Sequence, residues 1–208
     1  MRIENVEIYD MCESIAASGM PMLERFDETA FAETVGRIHG EFPSAQHHFD
    51  RARRLASAPA NSGHCNYLKG IIVSANISGT IKWWEQFQRY HFVTIISSMS
   101  TMHRIDRMDM TNCMSDKVLH DTKTHCAELV KRFKNGEIDF DTLIDNMPLG
   151  IVLTARTQTN YLQLRTIWNQ RKNHKDHEWK PFCRWLESLP RAKELITVDG
   201  NEMMNEER

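Results

Sequence analysis

The spacing of apolar residues changes several times along the chain, and each change predicts an element. In IENVEIY, residues 3–9, Ile3, Val6 and Ile8 alternate imperfectly with polar residues, which predicts a short strand running into a helix over about 10–18. Gly19 and Pro21 end that helix. Between Asp27 and Ser57 the spacing is helical, with Phe31, Val35 and Ile38 at i, i+4 and i+7, followed by Phe49, Ala52 and Leu55. Residues 56–64, ASAPANSGH, read as a loop. IIVSANIS, residues 71–78, is β-branched and almost continuously apolar at its start, so it predicts a strand buried on at least one face. Thr80 then serves as the N-cap of a helix from about Ile81 to His91. FVTIISSMSTMHR, residues 92–104, begins like a strand or helix end and finishes as a Ser/Thr/Met segment without clear period, so as a whole it reads as a loop.

The second half is more helical. A helix over 115–134 turns Val118, Cys126, Leu129, Val130 and Phe133 inward and stops at Asn135-Gly136. IDFDTLIDNMP gives a short helix ended by Pro148. The apolar run Leu149 to Ala155 fits a short strand or the first turn of the next helix. That helix, over 157–172, carries Tyr161, Leu164 and Trp168 on one stripe. A last amphipathic helix, about 177–188, buries Trp179, Phe182 and Trp185. The chain shows no internal repeat. The order predicts an α+β fold, helix-rich with a small sheet, forming one domain over 1–196. Residues 197–208 lack an apolar period and predict a disordered tail.

Composition narrows the class. The 208 residues are 41% hydrophobic with mean hydropathy −0.52, the balance of a soluble globular protein. A net charge of −2 provides no global basic field, so a polyanion site would have to be local and nucleic acid is not the expected partner. The start, MRIENVEIYD, lacks the pattern of a signal peptide, and no apolar stretch reaches membrane-spanning length, so no membrane partner and a cytoplasmic location are expected. Cys12, Cys65, Cys113, Cys126 and Cys183 are odd in number and contain no CxxC, which argues for reduced core residues. His174, His177 and Cys183 match no common zinc spacing, and no metal is expected.

Chemistry concentrates on two polar rows. Beside the stripe of Tyr161, Leu164 and Trp168 run Arg165, Asn169 and Lys172, extended one turn back by Arg156 and Asn160. Such a row is either a solvated helix face or an anion and heterocycle site, in which guanidinium forks grip a phosphate or pyrimidine carbonyl and asparagine offers donor and acceptor together. In WWEQFQRYHF, residues 83–92, Gln86, Arg89 and Tyr90 share a face at i, i+3 and i+4, with the same two readings. Basic and aromatic residues also interleave over 165–185, a pattern open to a nucleic-acid surface.

Together these two rows resemble the flavin-dependent thymidylate synthase family. That family carries an RHRxxS run at a helix end, an ExSxRY-like loop after it, and later an N-A-R-x-x-x-N-F-x-x-L-R segment. Here the first is Arg89-Tyr90-His91-Phe92-Val93-Thr94, with Gln86 ahead of it, and the last is Thr154-Ala155-Arg156, Asn160-Tyr161 and Leu164-Arg165. His64 stands where the family often has a histidine before its flavin-contacting strand. The loop Ser97 to Met102 lacks the family's glutamate, arginine and tyrosine, and Gly70 replaces a typical histidine. The chain looks like a divergent branch of the kind associated with phages and mobile elements.

The resemblance implies a homotetramer with active sites between subunits, binding FAD and a pyrimidine deoxynucleoside monophosphate. It implies one-carbon transfer from methylenetetrahydrofolate to pyrimidine C5, with NADPH as reductant and no cysteine nucleophile. It places Arg165 as the catalytic group that stabilises charge on the pyrimidine edge. Gln86, Arg89, Ser98 and Ser100 fall at substrate positions, and His91, Thr94, Arg156, Asn160 and Asn169 at flavin positions. Either residues such as His103 and Arg104 replace the phosphate donors missing from the loop, or the substrate differs from the family's. The alternatives are a non-catalytic nucleotide-binding protein on the same scaffold, or a nucleic-acid module over 165–185.

Overall fold

The computed structural model describes residues 1–58 and 62–198. Four strands form an antiparallel sheet in the order β1-β2-β4-β3: β1 Arg2–Tyr9, β2 Ile72–Thr80, β3 Thr94–Ser98 and β4 Val152–Asn160. The α helices are α1 Met11–Ala17, α2 Glu28–His39, α3 Gln46–Ser57, α4 Ile81–Phe87, α5 Thr101–Arg104, α6 His120–Lys134, α7 Phe140–Asp145, α8 Tyr161–Arg171, α9 Trp179–Ser188 and α10 Ala192–Leu195. The helix-rich α+β fold expected from the sequence is therefore observed. By contact density the chain separates into residues 1–6 with 75–157, and 7–74 with 158 onward.

In the first unit α6 and α7 close over a core of Ile105, Met110, Met114, Cys126, Leu129, Leu143 and Ile151. Helix α6 begins at His120 rather than at 115. The backbone just before it is committed elsewhere: Met114 pairs with Ile151 as an isolated bridge, and Ser115 N–H donates to Gly150 O at 2.9 Å. In the second unit α8 and α9 bury Tyr161, Leu164, Ile167, Trp179, Phe182 and Leu186. Tyr161 N–H donates to Ile71 O at 3.0 Å and its hydroxyl donates to Pro190 O at 2.9 Å.

Three expectations need correction here. Residues 157–160 belong to β4 and not to a helix. Ala155, Thr157 and Thr159 are buried alternately, but two of the three inward positions carry hydroxyls, so the period of two is invisible to an apolar count. Thr157 spends its hydroxyl on Ala75 O at 3.1 Å, which makes its burial tolerable. The stretch 92–104 is likewise not a loop, since it contains β3 and α5. All five residues of β3 are exposed, so no burial contrast marks the strand. Finally, the helix predicted to reach His91 ends at Phe87, where Gln88, Tyr90 and Val93 N–H groups close successive turns.

The buried stripe of α8 also differs from expectation. Ile167 is fully buried, while Trp168 is half-buried, donating its indole N–H to Glu187 at 3.0 Å beneath Lys172 Nζ, 4.1 Å from the ring centroid. Ile167→Ala is accordingly expected to destabilise by about 2–5 kcal/mol, and Trp168→Ala by less. Urea unfolding of the two variants checks this order, which is the reverse of the one the sequence suggests. Of the predicted tail, Thr197 N–H donates to Ala192 O at 2.8 Å and Val198 is buried; residues 199–208 lie outside the described residues, as do 59–61 of the loop 56–64.

Candidate functional site

In the first unit the polar residues start from α4. Thr80 caps this helix, accepting from Trp83 N–H at 3.2 Å, and Trp83, Trp84 and Phe87 are buried. That leaves Gln86 half-buried, with its amide donating to Lys82 O at 3.3 Å. Arg89 does not share a helix face with Gln86, because it lies past the helix end; it and His91 are exposed in the turn before β3. Thr94 opens β3 and Ser98 closes it. Ser100 caps α5, its hydroxyl accepting from His103 N–H at 3.4 Å.

A cavity of about 450 Å³ brings Ser98 and Ser100 together with Arg104, Arg107, Asp109 and Cys113. Sequence reasoning finds Ser98, Ser100 and Arg104; it misses Arg107, Asp109 and Cys113, which lie in a segment with no motif. Asp109 accepts from Thr111 N–H at 2.9 Å and from the Asn112 amide at 2.7 Å. These bonds hold its carboxyl below the ordinary range. Arg107 leans on Asp106 at 3.6 Å. Burial pushes the Cys113 thiol up, so it stays protonated and is a poor nucleophile.

Arg156 is on β4, not on a helical row. Its Nη1 donates to Asn5 O at 2.7 Å and to Asn76 Oδ1 at 3.4 Å, so it reaches from β4 past β2 to β1 and ties the sheet together. Asn5 has φ of 49°, a left-handed conformation that asparagine tolerates.

In the second unit Asn160 is the N-cap of α8, its Oδ1 accepting from Gln163 N–H at 2.9 Å. Asn169 is exposed further along the helix. Arg165, between them, is half-buried, and its Nη1 is shut off from water with no hydrogen-bond partner among the described residues. It lies close enough to Tyr67 for its charge to pull the phenol pKa down, while burial pushes it further up. Tyr67 itself donates to Ala52 O at 2.7 Å. A buried guanidinium N–H is costly to leave without an acceptor, so water, an ion or a ligand is called for at this nitrogen.

His64 is exposed at the start of a 3-10 turn over His64–Lys69. A Cβ on Gly70 would lie against Ser14 Oγ, and the hydroxyl would have to rotate away to admit a side chain there. Among the described residues no group of three or more His, Cys, Asp or Glu could hold a metal, and no helix is long and apolar enough to cross a membrane. The tryptophans of the 165–185 segment are engaged within the chain, Trp179 beneath the Arg171 guanidinium at 4.6 Å.

No family model matches the chain, and no curated protein matches its sequence. Solved structures do match in fold. Thymidylate synthase X from Helicobacter pylori, with FAD and dUMP, aligns at TM-score 0.66 with 12% identity over 96% of this chain and 99% of that one. The UMP/dUMP methylase PolB from Streptomyces cacaoi, bound with 5-Br dUMP, aligns at TM-score 0.55 with 12% identity over 98% of this chain and 95% of that one. The chain thus has the fold of the flavin-dependent thymidylate synthases.

Proposed function

We propose that the protein is a flavin-dependent enzyme that transfers a one-carbon unit to C5 of a pyrimidine deoxynucleoside monophosphate. The reaction is conversion of dUMP to dTMP or a related C5 methylation or hydroxymethylation. The observation that carries this reading is the buried, unpartnered Nη1 of Arg165 in a chain whose fold is shared with enzymes crystallised with dUMP or 5-Br dUMP.

Negative charge on the N3/O2 edge of a uracil ring raises the electron density at C5, the atom that attacks the one-carbon electrophile. A guanidinium already desolvated and fixed by α8 stabilises that charge without reorganising, and this is the role of Arg165. No thiolate is required, in keeping with a Cys113 thiol that burial keeps protonated. The phosphate is assigned to the cavity of Ser98, Ser100, Arg104 and Arg107, where two hydroxyls and two guanidinium groups take over from the glutamate and arginine that the loop lacks. Gln86 and Arg89 are assigned to the nucleoside.

For FAD, exposed His91, Thr94 and Asn169 fit a hydrogen-bonding ring edge. Asn160, with its Oδ1 spent on the helix cap, offers its amide N–H groups, and Arg156 acts by holding the sheet beneath. The chemistry that a bound FAD would supply, once reduced by NADPH, is hydride and carriage of the one-carbon unit from methylenetetrahydrofolate. Exposed Phe92, Ile95, Ile96, Met99 and Met102 along β3 and α5 support assembly into a homotetramer through this edge.

The test is release of tritium to water from dUMP labelled at C5, in the presence of FAD, methylenetetrahydrofolate and NADPH. Release that depends on all three is the expected result. Saturable dUMP binding without release from dUMP or dCMP would leave a nucleotide-binding protein in place of an enzyme.

A further inference from the structure

A second cavity, of about 170 Å³, lies in the second unit and is lined by none of the residues assigned above. It sits among α1, α2 and α3. Its walls are the apolar side chains of Met20, Leu23, Phe26 and Phe31, and one side is formed by Arg51 and His48. Met20, Leu23, Arg25 and Phe26 also border a neighbouring depression of about 360 Å³. An enclosed apolar cavity of about 150 Å³ is enough to hold benzene, so one six-membered ring fits the first volume.

The charge in the wall decides what the ring must carry. Arg51 is half-buried, and its hydrogen bonds go only to neutral oxygens: Nε to Ser18 Oγ at 3.1 Å, and Nη2 to Ile15 O at 3.1 Å and Ala16 O at 3.4 Å. No carboxylate pairs with it among the described residues. Burial lowers its pKa and nearby Arg54 adds to the effect, as expected for a desolvated cation without a counterion. The guanidinium packs closely on the backbone, since a Cβ on Gly19 would lie 2.8 Å from Arg51 Cζ and would make it shift.

The other polar groups do not supply the missing charge. Asp27 lines the cavity, but its Oδ1 caps α2, accepting from Ala30 N–H at 2.9 Å, and Arg25 also faces in. His48 is pushed down to about 4, by burial first and then by His47, Arg51 and Arg37, so it is neutral near pH 7. Its Nδ1 is buried without a partner. The lining therefore carries two guanidinium groups against one carboxylate, beside a ring-sized apolar volume. We propose that this cavity binds a small aromatic carboxylate, its ring among Met20, Leu23, Phe26 and Phe31 and its carboxylate on Arg51.

The test uses benzoate as probe on the full-length protein, with amide chemical shifts as the readout. Saturable shifts confined to residues 16–34 and 48–51 are expected, with benzyl alcohol binding at least about tenfold more weakly because it lacks the anion. Ala30→Trp fills the cavity from an exposed helical position and is expected to abolish binding while the protein still unfolds cooperatively. Arg51→Lys keeps a cation at the wall and is expected to bind about tenfold more weakly, because the fork geometry is lost. Absence of saturable benzoate shifts in the unmodified protein would overturn the proposal. So would equal affinity for benzyl alcohol, or benzoate binding that survives Ala30→Trp.

Discussion

Replacing Arg165 with alanine is expected to lower kcat for tritium release from labelled dUMP by about 10²–10³-fold, the loss seen when one preorganised charge-stabilising donor is removed. The expectation rests on where the side chain sits. Its Nη1 is buried without a partner, so the folded protein carries an unsatisfied donor that costs about 1–3 kcal/mol. A residue kept only for packing would gain by losing that charge. Arg165→Met should therefore unfold at the same temperature as the parent or higher, since it keeps the length of the side chain and removes the unpaired donor. Activity falling while stability holds is the signature of a group that serves a ligand. Full activity in both variants would remove Arg165 from the mechanism, and a large loss of stability would make it a structural residue.

Replacing Trp83 with alanine is expected to destabilise the protein by about 3–5 kcal/mol, the range for emptying a fully buried tryptophan site. Trp83 has no exposed surface. Its ring stacks on Phe87 with centroids 4.5 Å apart and meets Trp84 edge-on at 5.0 Å. Gly79 lets β2 pass close by, since a Cβ there would lie 2.8 Å from the indole. Helix α4 has seven residues, too few to persist without tertiary packing. The same substitution should therefore weaken dUMP binding through Gln86, which α4 carries, and Arg89, which lies just past its end. Guanidinium unfolding together with a dUMP titration reads both effects, and a loss under about 1 kcal/mol would mean that α4 is held by something else.

The residues that carry the proposed chemistry are legible because motif spacing survives where motif identity does not. Arg165 stands out in a row of amide and guanidinium groups beside an apolar stripe, and the stripe is correct for Tyr161 and Leu164 although not for Trp168. The row itself is not one helix. Arg156 and Asn160 precede α8, one bracing the sheet through Asn5 and Asn76 and the other capping the helix. Arg107 and Cys113 carry no signal at all, because a cavity wall assembled from a turn and two short elements leaves no period in the chain.

By itself the sequence determined most of the amphipathic helical segments, the Thr80 cap that starts α4, and the absence of a global basic field. These arise from local chemistry: a side-chain oxygen satisfies an end N–H, and a 3.6-residue period gathers apolar groups on one face. Only the tertiary structure decided that β3 is a strand and that β4 extends to Asn160. A strand exposed along its whole length and one that buries threonine depend on neighbours far along the chain for their hydrogen bonds. It alone decided, too, that one nitrogen of Arg165 is enclosed without an acceptor, since burial is a property of everything that packs around a residue and not of the residue.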